Sequence, residues 1–267
     1  MKLKCMVCKS STKPYFQKKY FESNVNVDLL VNYRKCINCG FVFSETHQNM
    51  SEAKWKDLNS KFHHGIEQNA KDRLFNQPPY IDIALALHVL NYSEVIRLES
   101  TLDFAAGYGT LAKILQSYFS HNILIYDEYI TANDEFQVKN LLSNKYDTVI
   151  NTAMFEHVVD RASLDRVAEL VKKDGVFVIH TFVSETIPMD PEWFYLEPIV
   201  HCAFFTNKSM SLLMDQWGFA CSIYIPSARI WVLFRNSYGI KKQVEKINNK
   251  FQREYIVYTN SFCDFWK

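Results

Sequence analysis

The sequence predicts an α/β fold in which a mostly parallel sheet carries helices on both faces, behind a small N-terminal metal-binding module. Strand-like and helix-like segments alternate from about residue 98 onward, and two strand-like segments near residues 219–234 are joined by only a short turn. Two Cys-x-x-Cys pairs precede the alternation. We therefore expect a small accessory module followed by one larger α/β domain.

The cysteine pairs predict a structural zinc site made by Cys5, Cys8, Cys36 and Cys39. Two residues between thiolates let one tight turn present both sulfurs to a tetrahedral ion, and two such turns complete the shell. The aromatic and branched residues between the pairs predict short strands that depend on the metal for stability. Four thiolates leave no open position, so a catalytic zinc is not expected. The alternative is two chance pairs of reduced thiols.

Composition limits the classes of protein and the cellular compartment. The chain has 267 residues and a net charge of +1, whereas proteins that bind nucleic acid usually carry a basic surplus. The N-terminus lacks the apolar core of a signal peptide, and no apolar run approaches the roughly 20 residues that cross a bilayer. We expect a cytoplasmic protein without membrane contact, in which thiols stay reduced and available to metal.

Four regions follow from the changes in pattern along the chain. They are a metal module at 1–45, a helical connector with one or two short helices at 46–95, the α/β domain at 96–235 and a helical extension at 236–267. Helices are predicted at 81–90, 111–118, 164–171, 209–217 and 241–258. Strands are predicted at 102–104, 123–126, 136–138, 146–151, 176–179, 219–225 and 230–234, with a turn at 173–175. The last two strands must pair antiparallel, because a parallel crossover needs about a dozen residues.

A glycine-containing loop follows the first strand of the domain and opens a helix. It runs from Asp103 through Ala105, Gly107 and Gly109, where glycines let the backbone turn sharply and approach a ligand closely. This segment resembles motif I of class I methyltransferases, whose sheet also ends in an antiparallel hairpin. The resemblance implies a Rossmann-like class I fold and S-adenosylmethionine as cofactor, held by these four residues. The alternative is a glycine turn in another α/β fold.

Further cofactor contacts are predicted at the ends of neighbouring strands. Asp127 ends the second strand, about twenty residues after the glycines, where an acidic residue accepts the ribose hydroxyls in nucleoside-binding folds. Glu128 is the second candidate for that role, and a solvated loop carboxylate is the alternative. Asn151 follows the fourth strand, and Arg73 is a candidate for the cofactor carboxylate because its planar fork suits that group.

Histidines and one carboxylate near the ends of later strands are the predicted catalytic groups. Glu156 and His157 resemble the Glu-His segment of small-molecule and sugar methyltransferases. His180 ends the fifth strand, where open α/β sheets bind ligands, and His201 lies in the insertion that follows. The general base is expected among His157, His180 and His201, because the unperturbed pKa of histidine lies near neutrality. An alternative for His157 is a hydrogen bond to the cofactor loop.

The long insertion at 181–206 is the predicted substrate region. Loops of this length without periodicity are usually functional, and Glu185, Trp193 and Tyr195 suit a lid over a hydroxylated substrate. Ordinary packing is the alternative for at least one of these aromatic side chains.

The combined plan resembles zinc-binding sugar methyltransferases, including those that modify nucleotide-activated deoxysugars and capsular heptoses. That resemblance implies methyl transfer to a hydroxyl of a nucleotide-activated sugar or another capsule precursor, such as a phosphoramidate. Alternatives are C-methylation of a keto-deoxysugar, methylation of guanine in ribosomal RNA, and a zinc-ribbon adaptor with a degenerate methyltransferase fold. The acceptor, the position methylated and the oligomeric state stay open.

Overall fold

The computed structural model describes residues 3–22, 27–68, 77–130 and 135–264. The strands are β1 (Thr12–Glu22), β2 (Val27–Cys36), β3 (Val42–Ser44), β4 (Thr101–Phe104), β5 (Leu124–Tyr126), β6 (Tyr146–Thr152), β7 (Val171–His180), β8 (Val183–Ser184), β9 (Ala203–Thr206), β10 (Cys221–Ile225), β11 (Ile230–Phe234) and β12 (Val257–Thr259). The helices are α1 (Glu45–Gln48), α2 (Glu52–Gln68), α3 (Tyr80–Tyr92), α4 (Thr110–Phe119), α5 (Arg161–Glu169), α6 (Asn207–Gln216) and α7 (Ile240–Phe251), with 3₁₀ turns at Phe155–His157 and Phe194–Leu196.

The larger sheet has seven strands in the order β12-β10-β11-β7-β6-β4-β5. Strands β5, β4, β6 and β7 run parallel, and β11 enters antiparallel between β7 and β10. The short turn between β10 and β11 leaves only a hairpin, in which Ser222 pairs with Leu233. The predicted fold class, a Rossmann-like class I sheet ending in an antiparallel hairpin, is therefore confirmed.

Helices cover both faces of this sheet, so each strand of the centre is buried on two sides. On one face, α5 and α6 contribute apolar side chains such as Leu164 and Leu213 to the core. On the other face, α3, α4 and α7 contribute Leu87, Leu115 and Val244. The carboxyl ends of β4, β5, β6 and β7 meet at one edge, which is where open sheets of this type bind ligands.

The second sheet joins the N-terminal segment to the insertion of the larger domain. Its order is β1-β2-β3-β9-β8, with β3 antiparallel to β9 through Val42 and Phe204. A third apolar cluster lies under this sheet and includes Tyr33 from β2, Trp55 from α2 and Leu196 from the insertion. The N-terminal strands and residues 181–206 thus share one backbone hydrogen-bond network.

Some predicted elements differ from those observed. β1 and β2 are eleven and ten residues long, not short, because they pair with each other and pack on the third apolar cluster. Residues 136–138 contribute one isolated parallel bridge from Gln137 to Ile125 instead of a strand. Residues 173–175 were predicted to form a turn but lie inside β7, at a shift in the register of its pairing with β6.

The connector and the tail also differ from prediction. The helical part of the connector contains the 17-residue α2, which is longer than the short helices predicted. The predicted terminal helix ends at Phe251, and the chain then adds β12 at the edge of the larger sheet. None of the described helices has both the length and the apolar character needed to cross a bilayer.

Candidate active site and cysteine cluster

The loop between β4 and α4 turns through three left-handed residues, Ala105, Gly107 and Gly109, with φ of 61°, 56° and 71°. A Cβ on Gly109 would lie 3.1 Å from the Ile125 side chain, so the loop and β5 pack closely there. A Cβ on Gly107 would meet nothing within 4 Å. Gly107 therefore exposes bare backbone to open space in front of the sheet edge, as a ligand cradle requires.

Asp127 ties this loop to the end of β5. Its Oδ2 accepts a hydrogen bond of 2.9 Å from the Gly107 N–H, and its Oδ1 accepts from the N–H groups of Tyr129 and Ile130 at 2.8 and 2.9 Å. A carboxylate offers about four lone-pair positions, so one position remains on Oδ2 for a ligand hydroxyl. Glu128 points elsewhere and forms an ion pair of 3.5 Å with Arg166, in which both side chains are about half exposed.

Asp103 lies beneath the loop as a buried carboxyl group. It is 1% exposed, and its Oδ1 has no hydrogen-bond partner among the described residues. Burial, with a smaller contribution from the negative charge of Asp127, raises the pKa of Asp103 to about 8. A cationic ligand beside Asp103 would supply the missing partner and favour its charged form.

Asn151 extends the same edge at the end of β6. Its Nδ2 donates to the Phe104 carbonyl oxygen at 2.9 Å, while its Oδ1 is buried without a partner among the described residues. Two orphaned acceptors, on Asp103 and Asn151, thus flank the glycine loop. Because S-adenosylmethionine carries an ammonium group and a sulfonium, these residues fit that cofactor chemically.

Glu156 follows β6 and is 4% exposed. Its Oε2 accepts from the Thr181 hydroxyl and its Oε1 accepts from the Tyr195 hydroxyl, each at 2.9 Å. Burial raises the pKa of Glu156, and these two hydrogen bonds partly oppose that rise. Its carboxyl group is therefore held in one orientation by side chains from the start and the middle of the insertion.

Three histidine rings gather beside Glu156. The ring centroid of His157 lies 5.0 Å from that of His201 and 5.2 Å from that of His63 on α2. Burial lowers the pKa of all three, to about 4 for His201, so these rings are neutral near pH 7. The charge of Asp127 raises the pKa of His63 and so partly opposes its burial. His63 on α2 therefore lies near enough to Asp127 for their charges to interact.

Hydrogen bonds define the tautomers of two histidines. The Nδ1–H of His201 donates to the Tyr195 carbonyl oxygen at 2.7 Å, and the Nδ1–H of His180 donates to the Arg229 carbonyl oxygen at 2.9 Å. Because a carbonyl can only accept, the lone pair of each neutral ring lies on Nε2. Burial also lowers the pKa of His180, which lies close enough to Glu156 for their charges to interact.

The predicted substrate residues occupy different surroundings. Trp193 is buried and packs against Phe182, Tyr195 and Phe204 with centroid distances of 5.5 Å each. Glu185 is exposed at an open groove of about 280 Å³ that Trp193 also lines, and no histidine of the described residues lines this groove. Tyr195 instead reaches Glu156. Trp193 therefore packs in the third apolar cluster and also lines the groove, whereas Tyr195 lies with the polar cluster.

The four predicted metal ligands lie together at the start of the chain. The Sγ–Sγ distances are 3.7 Å for Cys5 and Cys39, 3.4 Å for Cys8 and Cys36, and 3.6 Å for Cys8 and Cys39. A tetrahedral zinc with Zn–S bonds of about 2.3 Å separates its sulfurs by about 3.8 Å. The cluster can therefore hold Zn²⁺ with little movement.

The ionisation of these thiols also favours a cation. The hydrogen bond with Cys39 lowers the pKa of Cys5 to about 5, whereas the same bond and burial raise the pKa of Cys39. One thiolate in the cluster thus opposes the ionisation of the next. A divalent ion would remove that conflict, because zinc ligands bind as thiolates.

The cysteine cluster is fixed directly to the larger domain. Arg161 on α5 donates to the Val7 carbonyl oxygen and to the Gln216 side chain, and Gln216 donates back to Val7 at 3.1 Å. The Thr206 hydroxyl donates to the Cys39 carbonyl oxygen, and a Cβ on Gly40 would lie 3.1 Å from the Thr206 methyl group. The cluster is thus packed against both α5 and α6.

The structure brings most of the predicted site residues to one sheet edge. At this edge lie Asp103 on β4, the loop residues Ala105, Gly107 and Gly109, and the side chains of Asp127 and Asn151. The polar cluster beside them is formed by Glu156, His157 and His201. Arg73 lies outside the described residues. Sequence reasoning missed His63 and Thr181. A histidine in a polar connector and a threonine after β7 carry no local signal, because their partners are distant in sequence.

Comparison with known proteins assigns the larger domain to a family. The methyltransferase domain family matches residues 84–222, which is more than half of the chain. The plantazolicin methyltransferase BpumL bound to SAH has 12% identity, covers 68% of this chain and 96% of its own, and gives a TM-score of 0.46. Magnesium protoporphyrin IX methyltransferase from Synechocystis PCC 6803 with SAH has 16% identity, covers 58% and 83%, and gives a TM-score of 0.41. A search of curated proteins finds no match.

The fold and the glycine loop define a class I methyltransferase domain. The chain belongs to the methyltransferase domain family, and it is an S-adenosylmethionine-dependent methyltransferase.

Proposed function

We propose that this methyltransferase transfers its methyl group to a hydroxyl of a nucleotide-activated sugar, such as a heptose, or of another surface-polysaccharide precursor. The main support is the cluster of Glu156, His157, His201 and Tyr195 beside the glycine loop. Such a polar wall suits an acceptor that carries several hydroxyl groups and must lose one proton. An apolar acceptor would leave the buried Nδ1 of His157 without a partner, which is costly.

The residues of the loop have separate roles in this proposal. Gly107 and Gly109 let the cofactor lie close to the backbone of the loop. Asp127 accepts a hydrogen bond from a ribose hydroxyl, and Asp103 faces the positively charged end of the methionine moiety. S-adenosylmethionine supplies an electrophilic methyl carbon and a thioether leaving group. The protein then has to align the acceptor oxygen with that carbon and remove its proton.

The proton acceptor is proposed among His157, His180 and His201. His180 and His201 each present an unprotonated Nε2, because their Nδ1–H groups donate to backbone carbonyls. A base takes the hydroxyl proton onto this nitrogen as the oxygen attacks the methyl carbon. Glu156 holds Tyr195 and Thr181 in place around the acceptor instead of moving a proton itself.

Zinc in the cysteine cluster has a structural role in this proposal. The cluster adjoins β3, and β3 pairs with β9, which follows His201 directly. Zn²⁺ would therefore fix the position of His201 through the second sheet without touching the acceptor. Four thiolates stay reduced in the cytoplasm, which we retain as the expected compartment.

The direct test is a screen of nucleotide sugars and capsule precursors that follows release of S-adenosylhomocysteine. The proposal expects turnover with at least one hydroxylated sugar nucleotide, and mass spectrometry of the product locates the methyl group on oxygen. Methylation at carbon would favour the keto-deoxysugar alternative. Methylation of structured RNA with no turnover of any sugar would overturn the proposed substrate class.

A further inference from the structure

A second candidate metal site lies outside the cysteine cluster, at Glu156, His157 and His201. One ligand atom from each residue, a carboxylate oxygen and two imidazole nitrogens, lies within 4.8 Å of the other two. The two rings meet edge to face at an interplanar angle of 85°. This arrangement brings together three donors of the kinds that bind transition metals.

The distances are compatible with one shared ion. A tetrahedral ion with donor distances of about 2.1 Å separates its ligands by about 3.4 Å, so small side-chain rotations would close the shell. Glu156 and His157 are adjacent on the 3₁₀ turn after β6, and His201 precedes β9. The three ligands therefore come from two segments. A hydrogen bond of 2.8 Å from the Cys202 N–H to the Glu156 carbonyl oxygen joins these segments.

The surrounding hydrogen bonds are those that orient metal ligands. A histidine ligand usually donates its other ring N–H to a backbone carbonyl or a carboxylate, and a ligating carboxylate is itself hydrogen-bonded. His201 donates Nδ1–H to the Tyr195 carbonyl oxygen, which aims the Nε2 lone pair away from that bond. Glu156 accepts from Thr181 and Tyr195, and carboxylate lone pairs remain for an ion.

One buried atom in the cluster lacks a partner. The Nδ1 of His157 is buried and has no hydrogen-bond partner among the described residues. Buried polar atoms are almost always satisfied, so an orphan here needs an explanation. An ion bound between His157 and its neighbours would provide one.

We propose that Glu156, His157 and His201 bind a divalent transition-metal ion such as Zn²⁺, as a site separate from the four cysteines. Two imidazoles and one carboxylate select this class of ion, whereas Mg²⁺ and Ca²⁺ prefer oxygen ligands. Three protein ligands leave at least one open coordination position, as in catalytic zinc sites. The ion would bind the acceptor hydroxyl there and ease loss of its proton, leaving His180 as the base. This role rests on the proposed function, whereas binding of the ion does not.

The test measures metal stoichiometry on the tag-free full chain. After dialysis against Zn²⁺ and removal of free ion, elemental analysis is expected to give two equivalents per chain, one of them in the cysteine cluster. His201→Ala should retain one equivalent. Tyr195→Phe removes the hydroxyl that donates to Glu156 and accepts from the Phe182 N–H. This variant should weaken binding of the second equivalent by about 10-fold or more, measured by competition with a chromophoric chelator.

A matched control excludes adventitious binding to histidine. His88 and His121 form another pair, with 3.1 Å between ring nitrogens, remote from Glu156 in sequence. His88→Ala should retain two equivalents. A wild-type chain that holds one equivalent overturns the site, and so does loss of the second equivalent in His88→Ala with its retention in His201→Ala.

Binding of S-adenosylhomocysteine, measured by calorimetry on the same samples, separates this site from the proposed function. If a chain with one equivalent of zinc binds S-adenosylhomocysteine, the second metal site is rejected and the cofactor role of the loop is kept. Two equivalents of zinc in a chain that binds no S-adenosylhomocysteine support the metal site and reject the cofactor role of the loop.

Discussion

Cys202 donates its backbone N–H to the carbonyl oxygen of Glu156 at a distance of 2.8 Å. The carbonyl oxygen of Cys202 accepts in turn from the Ser44 N–H, also at 2.8 Å. A single residue of the insertion therefore connects the N-terminal sheet to the Glu156–His157 turn. The position of His201, its neighbour in sequence, depends on both contacts.

Removal of the cysteine ligands should therefore disturb the polar cluster as well as the N-terminal strands. We expect the double substitution Cys36→Ser and Cys39→Ser to lose the cysteine-bound zinc and about 4 kcal/mol or more of unfolding free energy, because loss of a structural metal is among the largest single effects. Faster amide hydrogen exchange at residues 202–205, measured by mass spectrometry, would show that the disturbance reaches β9.

Cys221→Ala is the matched control, since Cys221 is buried in the larger sheet away from the four ligands. It should retain the cysteine-bound zinc and unchanged exchange at residues 202–205. Unchanged exchange at these residues in the metal-free double variant would contradict the proposed coupling.

Gly107 and Gly239 provide a matched pair of left-handed glycines. Both have positive φ, and a Cβ on either meets nothing within 4 Å. Gly107→Ala and Gly239→Ala should each cost about 1 kcal/mol of stability from left-handed strain. Only Gly107→Ala should also weaken S-adenosylhomocysteine binding, by at least about 10-fold in calorimetry, because its methyl group enters the cradle. Equal affinity in the two variants would remove the loop from the cofactor site.

Asp127 and Glu128 are adjacent acids whose substitution should change cofactor affinity by very different amounts. Asp127→Asn places an amide N–H against a backbone N–H, which should lower the free energy of unfolding by about 1–3 kcal/mol. It should also weaken S-adenosylhomocysteine binding by about 10-fold or more. Glu128→Gln breaks only a half-exposed ion pair and should change affinity less than about twofold. A larger loss of affinity in Glu128→Gln than in Asp127→Asn would make Glu128, and not Asp127, the acceptor of the ribose hydroxyl.

Asp103 should make the stability of the cofactor-free protein fall as pH rises. Its folded pKa is about 8, above the value of 3.8 for an exposed aspartate, so between these values the folded state binds more protons than the unfolded state. The contribution is present below pH 3.8 and is lost progressively up to pH 8, with a slope of up to about 1.4 kcal/mol per pH unit. Urea unfolding at several pH values measures this slope.

Asp103→Asn removes the titrating group and should remove that part of the slope. Wild-type protein should also release a proton when the cationic cofactor binds at pH 7, because the positive charge lowers the pKa of Asp103. Calorimetry in buffers of different ionisation enthalpy counts this proton. Identical slopes in wild type and Asp103→Asn would reject the raised pKa.

The sequence predicted the parts of the fold that are encoded locally. The order of strands and helices, the hairpin of β10 and β11, and the glycine loop follow from periodicity and turn residues within short windows. The four cysteines were predicted to share an ion because their spacing repeats, and the structure places their sulfurs together.

The parts that sequence reasoning missed depend on contacts between distant segments. β9 is a short apolar run inside a segment interpreted as a lid, and its pairing with β3 and β8 makes it a strand. The packing of Phe182 and Phe204 around Trp193 likewise depends on tertiary contacts that no local pattern specifies. His63 reaches His157 from a helix whose placement no local pattern specifies.

The pairing of Val42 with Phe204 also constrains how the chain acquires its structure during synthesis. The two residues are roughly 160 positions apart, so β3 emerges from the ribosome long before its neighbour exists. The cysteine turns can capture an ion early, yet the edge of β3 stays open until translation passes residue 206. Nascent chains halted before that point would expose an unpaired, apolar strand edge, which is the kind of surface that chaperones bind and that promotes aggregation.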